Sequence, residues 1–325
     1  MKKKSFFVLM FHGIVSSKPE HFMYPPNTNC FVRESDFEKV IRYCSKKYKI
    51  LKLADLEQYF NGTATQDGVL ISFDDGLQSL CHLGLPILEK HGATAVTFIT
   101  SDWTNNEQEP AVFSLEYQLY QQLPATVNIN CDGFSFTQAI HTKSEIPELF
   151  DALWMELFQK EINPLSLTHE QVSINGAALN TLKQEPGGGS WKTMPWNLLK
   201  KAVDENIIEI GAHGQTHTPF TWLSNEQLIS ESIKSKEEIF NKLQIVVNSC
   251  SFPNGFYNNN TLETLSKHFT YGFTNKMVKN TKGAVKINIA RYNVPFQRPN
   301  NISSLVTYPL AGRVLRKLGS VTGLF

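Results

Sequence analysis

Short apolar runs alternate with helix-patterned stretches along most of this chain, which predicts a parallel α/β architecture. Phe6 to Phe11 is apolar throughout, and Gly68-Val-Leu-Ile-Ser-Phe73 nearly so; both read as strands buried on two faces. Between them, apolar positions 37, 40 and 41 predict a helix entered through Ser35 or Asp36 as its cap. Lys49–Leu53 reads as a strand, and 54–60 as a helix ending at Asn61-Gly62. A helix around Leu83–His91 stops at Gly92, and Ala93–Thr100 is the next strand. The rhythm returns with a helix over Pro195–Val203 and a strand over Ile207–Gly211. Ser224-Asn-Glu-Gln227 is a capping box opening a helix that ends near Leu243. Ile245-Val-Val and Cys250–Gly255 predict a strand with its terminal loop; Tyr271–Asn275 and Ile287–Arg291 are the last strand candidates.

Residues 104–190 break this rhythm. A hairpin is expected over Thr126–Thr137, turning at Asp132-Gly133, with helical pieces at 145–161 and 168–184. Pro186-Gly-Gly-Gly-Ser190 then marks a break. The pattern divides the chain into a barrel-like body (1–103 and 191–308), an insertion (104–190) and a tail (309–325). The insertion either packs on the surface or acts as a lid or substrate-selecting subdomain, since loops at a functional face carry specificity.

Composition narrows the classes. At 325 residues the chain has the length of an α/β barrel folding as one unit, and 41% hydrophobic residues suffice for a sizeable core. A net charge of +1, from 31 basic against 30 acidic residues, argues against nucleic acid as a partner. Five scattered cysteines without a close pair fit a reducing compartment, hence a cytoplasmic location. The start, Met1-Lys-Lys-Lys-Ser-Phe-Phe-Val-Leu-Met-Phe11, has the basic head of a secretion signal. Its apolar run is short, interrupted by His12-Gly13 and without a cleavage site, so it reads as a first strand. In the tail, Leu310, Val314, Leu318 and Val321 recur at helical spacing beside Arg313, Arg316 and Lys317. Such a helix docks on the body or lies peripherally on the inner face of a membrane.

The chemistry lies at strand ends. Asp74 and Asp75 follow the run 68–73, and His213 and His217 stand four residues apart after 207–211. One carboxylate with two imidazoles is a hydrolytic zinc set that leaves a position open, and the second carboxylate is free to be a base. Alone, Asp-Asp-Gly is an ordinary solvated turn and His-x-x-x-His a polar cluster. Together with the Pro253-Asn254-Gly255 loop they occupy C-terminal strand ends, the catalytic face of a β/α barrel.

In succession, Phe73-Asp-Asp-Gly76, His213-Gly-Gln-Thr-His217, Phe252-Pro-Asn-Gly255 and Arg291 resemble the motifs of the polysaccharide deacetylase family, metal-dependent carbohydrate esterases. The resemblance covers 5–103 and 191–295 and implies a distorted, incomplete (β/α) barrel acting on a carbohydrate. It also implies a divalent metal, Zn²⁺ foremost, held by Asp75, His213 and His217, with Asp74 as base. Two departures matter. Many members carry an arginine shortly before the proline of the third motif; Ser251 and Phe252 supply none, and Arg291 is the candidate replacement. Many also end with a Leu-x-His motif providing the general acid, whereas no histidine follows His268 here. His12, in Phe11-His-Gly13, resembles the opening motif of a circularly permuted subgroup that finds its acid there; packing against backbone is its other reading.

The implied reaction is hydrolysis of an N-acyl group, N-acetyl above all, from an amino sugar. A backbone N–H near Asn254 would join the metal in holding the oxyanion, with Pro253 and Gly255 beside the substrate. An O-acetyl esterase or a deformylase would use the same machinery. A carbohydrate receptor without catalysis is the rival outside the enzymes, although Asp74, Asp75, His213 and His217 are all present. Trp103, Trp191 and Trp196 bracket the insertion as core residues or as faces for sugar rings. His21, His82, His91, His141, His169 and His268 are expected to be solvated or capping.

Overall fold

The computed structural model describes residues 4–16, 31–107, 109–180 and 192–294, so the tail helix expected over 309–325 lies outside the described residues. The body begins with β1 (Phe6–Phe11), β2 (Gly13–Val15), β3 (Phe31–Arg33), α1 (Glu34–Lys47), β4 (Lys49–Ile50), α2 (Leu56–Asn61) and β5 (Gly68–Phe73). It continues through α3 (Leu85–Lys90), β6 (Ala95–Ile99) and α4 (Ser101–Asn106). The insertion then contributes α5 (Ala111–Gln121), β7 (Ala125–Cys131), β8 (Phe134–Ile140), α6 (Ile146–Gln159), β9 (Val172–Ile174) and β10 (Ala177–Ala178). The body resumes with α7 (Trp196–Asp204), β11 (Ile208–Ala212), α8 (Asn225–Leu243), β12 (Ser249–Ser251) and α9 (Asn259–Ser266). It closes with β13 (Tyr271–Thr274), β14 (Ile289–Ala290) and β15 (Tyr292–Asn293).

The main sheet runs β14-β13-β12-β11-β6-β5-β1-β15, with β4 added beside β5 and every neighbour parallel. It curls into a nearly closed (β/α) barrel. The two-residue period of a strand sorts its side chains. Phe6 and Val8 of β1, Leu70 of β5, Val96 and Phe98 of β6 and Phe273 of β13 form one buried cluster inside the barrel. Phe7, Leu9, Phe11, Val69, Ile71 and Phe73 alternate with them and pack outward with Phe37, Val40 and Ile41 of α1. Burial on both faces is why these strands read as unbroken apolar runs.

At the seam the sheet's two ends, β14 and β15, are separated by one residue, Arg291. Asn280 bridges the same seam. Its backbone exchanges hydrogen bonds with Phe6 of β1 (3.0 and 2.9 Å), while its side-chain amide pairs with the N–H and C=O of Ala290 in β14 (both 2.9 Å). An Asn280→Ala variant leaves both groups of Ala290 buried and unpartnered, at about 1–3 kcal/mol each. The expected loss is thus roughly 2–6 kcal/mol, read as a fall in urea midpoint at constant m. A midpoint within error of the parent would show that water repairs the seam.

Several expectations shift. The chain enters α1 directly from β3 with Arg33 at the cap position, so Ser35 and Asp36 fall inside the first turn, where Asp36 pairs with Lys39 at 2.9 Å. The strand expected over Lys49–Leu53 stops at Ile50: after Leu51 N–H donates to Val69 C=O at 2.8 Å, carboxylates take the following amides, Asp55 accepting from Lys52 N–H (2.9 Å) and Glu209 from Leu53 N–H (2.8 Å). No strand covers 245–247; β12 starts at Ser249. The helix expected over 168–184 is instead the hairpin β9–β10 in the described part of that range, turning at Asn175-Gly176 with φ of 52° and 79°. That pair of left-handed residues makes a two-residue hairpin turn.

In the insertion the four strands form an antiparallel sheet, β10-β9-β7-β8. Leu115 of α5, Val127 of β7 and Leu153 of α6 pack in a cluster that also takes in Val15, Leu77 and Trp103 from the body. The insertion therefore shares apolar packing with β2, the turn after β5 and α4. No helix among the described residues is long and apolar enough to cross a membrane.

Candidate active site

Strand parity carries the polar groups to one end of the barrel. Continuing inward positions 6 and 8 of β1 leads to His12, and positions 70 and 72 of β5 lead to Asp74. Phe11 pairs with Phe73, and Asp74 N–H donates to Phe11 C=O at 2.9 Å, so His12 and Asp74 leave adjacent strands side by side. His213 follows β11 and donates its backbone N–H to Ile99 C=O of β6 at 2.9 Å. Ser251 ends β12, and Arg291 sits at the seam.

Asp75 has the parity of the outer face but is turned inward by a left-handed backbone, φ 69°. Gly76 continues that turn at φ 66°, and a Cβ there would meet Ile99 Cγ2 at 2.9 Å. His217 and Asn254 are also left-handed, at φ 65° and 55°. Three strained non-glycine residues at one mouth fit the tendency of strain to gather at functional sites.

Two groupings result. Arg291, fully buried, donates from Nη1 to Asp74 Oδ1 (2.7 Å) and from Nη2 to Asp74 Oδ2 (2.8 Å). This fork is the strong, directional form of the ion pair. Arg291 Nη2 also reaches Asn275 Oδ1 (3.2 Å), and the guanidinium lies 5.6 Å from the Phe98 ring centre. In the other grouping Asp75 Oδ1 lies 3.5 Å from His213 Nε2 and 3.3 Å from His217 Nε2. Burial opposes the Asp74 charge, but Arg291 and then His213 outweigh it and hold the carboxyl below its usual range. Burial likewise opposes Asp75, and His213 and His217 hold it well below that range. His213 is driven down by burial but carried above its ordinary value by Asp74 and Asp75; for His217 burial wins and the shift is downward.

The donor set fits a divalent metal. One ligand atom each from Asp75, His213 and His217 lies within 4.8 Å of the others. Bonds of about 2.0–2.2 Å at tetrahedral angles put neighbouring ligand atoms roughly 3.3–3.6 Å apart, close to the 3.3 and 3.5 Å separations between Asp75 and the two histidines. Asp75 Oδ1 is buried without a hydrogen bond of good geometry, as an atom awaiting a cation would be. Behind His213, the Ser251 C=O accepts from Nδ1 at 3.0 Å, which leaves Nε2 bare for a metal.

His12 Nδ1 is buried and has no hydrogen-bond partner, so the ring is not held by backbone as its packing reading required. Asn254 Nδ2 is likewise an unpartnered buried donor, in the turn Pro253–Gly255. Trp103 is 3% exposed and stacks on His217, ring centres 4.6 Å apart, which takes it away from sugar stacking. Trp196 donates its indole N–H to Asn105, and Trp191 lies outside the described residues. His91 contacts Glu38 at 3.1 Å and His169 contacts Ser114 at 3.1 Å, away from the site cluster. His21 lies outside the described residues.

Sequence reasoning missed three supporting residues. Ser251 sits behind His213. Glu231 of α8 accepts from Thr216 N–H (2.7 Å) and Thr216 Oγ (2.9 Å), clamping the loop between the histidines. Asn163 reaches His217 from the insertion. Only Glu231 left a trace, as a residue of the helix that the Ser224 capping box opens.

A buried Asp-His-His set beside an Asp-Arg pair, at the C-terminal end of a parallel barrel, defines a hydrolase-type centre. The chain belongs to the polysaccharide deacetylase family, whose model matches residues 61–137 and 181–272. By that membership it is a carbohydrate deacetylase. Similar solved structures include the Streptococcus pyogenes deacetylase PplD in complex with acetate: 13% identity, 94% of this chain and 99% of that one, TM-score 0.59. IcaB from Ammonifex degensii follows at 14% identity, 94% and 97% coverage and TM-score 0.56. A de-N-acetylase from Aggregatibacter actinomycetemcomitans matches at 13% identity, 91% and 97% coverage and TM-score 0.55. At these identities the likeness is one of fold. No curated protein matches the chain by sequence.

Proposed function

We propose that the protein is a metal-dependent hydrolase that removes an N-acyl group, N-acetyl foremost, from an amino sugar of a glycan or glycan precursor. The observation that carries this reading is the buried Asp75, His213 and His217 set, with Asp75 Oδ1 3.5 and 3.3 Å from the two imidazole Nε2 atoms, beside a second, Arg-paired carboxylate. The acetate bound by PplD and the de-N-acetylase activity in the name of the Aggregatibacter protein support it by analogy of fold.

A divalent ion held by Asp75, His213 and His217, Zn²⁺ for preference, would polarise the acyl carbonyl and lower the pKa of water. Asp74 takes the proton of the attacking water; Arg291 fixes the carboxylate plane, and each oxygen keeps a lone pair beyond its hydrogen bond. A backbone N–H at Asn254 faces the oxyanion, with Pro253 and Gly255 shaping the loop. As the carbon–nitrogen bond breaks, His12 donates a proton to the departing amine. The products are a free amino sugar and the carboxylate of the acyl group.

The test is acid release from N-acetylated, N-formylated and O-acetylated amino sugars, using chelated protein and the same protein reloaded with Zn²⁺. Metal-dependent release of acetate from the N-acetyl sugar is expected. Release only from the O-acetyl or N-formyl substrate would make the enzyme an esterase or a deformylase. Tight metal and sugar binding without any release would make it a receptor.

A further inference from the structure

We infer that Asn163, contributed by the insertion, is a positioning residue for the metal site and sets the pose of His217. The inference rests on the reading of His217 as a ligand. Asn163 is 6% exposed and stands before Pro164, at the cap of a short 3₁₀ turn over Pro164–Ser166. Its Oδ1 accepts from Leu165 N–H at 3.2 Å, which fixes the orientation of the amide. The NH₂ end is thereby aimed at His217, donating to its backbone C=O at 3.0 Å and lying 3.4 Å from its Nδ1.

His217 needs such a hold. Its backbone is left-handed, φ 65°, a conformation costly for a residue with a Cβ and kept only when neighbours over-determine it. His213 emerges directly from β11 and has Ser251 behind it, whereas His217 stands four residues out on a loop. Stacking on Trp103 fixes the plane of the His217 ring, and Asn163 fixes the peptide that carries it. The insertion is anchored beside this contact: Phe158 at the end of α6 packs its ring on Trp222 and Phe256, from the loops after His217 and Asn254, with ring centres 5.8 and 5.2 Å apart. The geometry thus makes the insertion part of the metal centre's supporting shell.

Two readouts test this on the full-length protein. The first is Zn²⁺ affinity, by competition with a chromophoric chelator, for the parent, Asn163→Ala and Val172→Ala. The last loosens the insertion's core through a fully buried β9 residue without touching His217. Loss of an outer-shell partner typically weakens metal binding about 10–100-fold, so Asn163→Ala should fall by that factor while Val172→Ala keeps the parent affinity. Parent-like affinity in Asn163→Ala, or equal losses in the two variants, overturns the proposal. The second readout is the ring C–H signal of His217 by NMR in the metal-free protein, which should shift or broaden in Asn163→Ala only. An unchanged signal there also overturns it. A parent that binds no Zn²⁺ would sink the metal reading, while the NMR comparison would still decide whether Asn163 positions His217.

Discussion

Asp74→Asn should lower kcat by roughly 10²–10⁴ while metal content stays near one ion per chain, since the change removes a proton acceptor and no ligand. Asp75→Asn and His213→Ala should instead lose metal and activity together. The partner of Asp74 gives the sharper contrast. Removing either half of a buried ion pair strands the other charge, a loss of about 3–5 kcal/mol, so Arg291→Met should be markedly destabilised. Asp74→Asn, which leaves the buried guanidinium without its counter-charge, should be destabilised too, offset in part where the amide oxygen still accepts from Arg291. The acid limb of stability carries the same signature. The folded pKa of Asp74 is depressed, so its contribution is present above the unfolded-chain value of about 3.9 and is lost as pH falls from there through the lower folded value. Asp74→Asn should flatten that part of the stability–pH curve. A fully active Asp74→Asn enzyme would reverse the roles given to the two carboxylates.

His12→Ala should also depress kcat by roughly 10²–10⁴, the range for a lost general acid, with Zn²⁺ affinity little changed. Position supports this role as much as chemistry does: His12 leaves β1 beside Asp74, and its Nδ1 has no competing partner. Substrates with a better leaving amine need less proton donation, so the deficit should shrink for an activated anilide. An equal deficit on activated and natural substrates would point to a structural role for the ring.

What could be read from the sequence follows physical lines. Strands β1 and β5 announced themselves because burial on both faces leaves no polar position to blur them. The capping box at Ser224 is a local reciprocal bond, Ser224 N–H to Gln227 Oε1 at 2.9 Å, and local chemistry is legible in local sequence. Helix α5 gave no comparable signal, for it buries Ser114, Glu116 and Gln118 along with its apolar residues and so lacks an amphipathic period. At 168–184 the expected helix gives way to a hairpin whose signal in the sequence is the Asn175-Gly176 turn, both residues left-handed. In the site, His12, Asp74, Asp75, His213, His217 and Arg291 were picked out by residue type and position, and the fold gathers all six at one barrel end. Asn163 was not legible: an asparagine before a proline looks like any turn, and its partner lies 54 residues away.

Arg291 joins two events usually considered apart. It is the lone residue between the strands at the sheet's two free ends, and it neutralises the carboxylate assigned as base. A folding intermediate with 289–293 undocked would hold an open sheet and an uncompensated Asp74, drawn toward its protonated form as it is buried. Ring closure thus supplies the principal counter-charge that keeps Asp74 ionised once it is buried. With Asp74 as the base, regain of activity during refolding should coincide with the docking of 289–293 and not precede it.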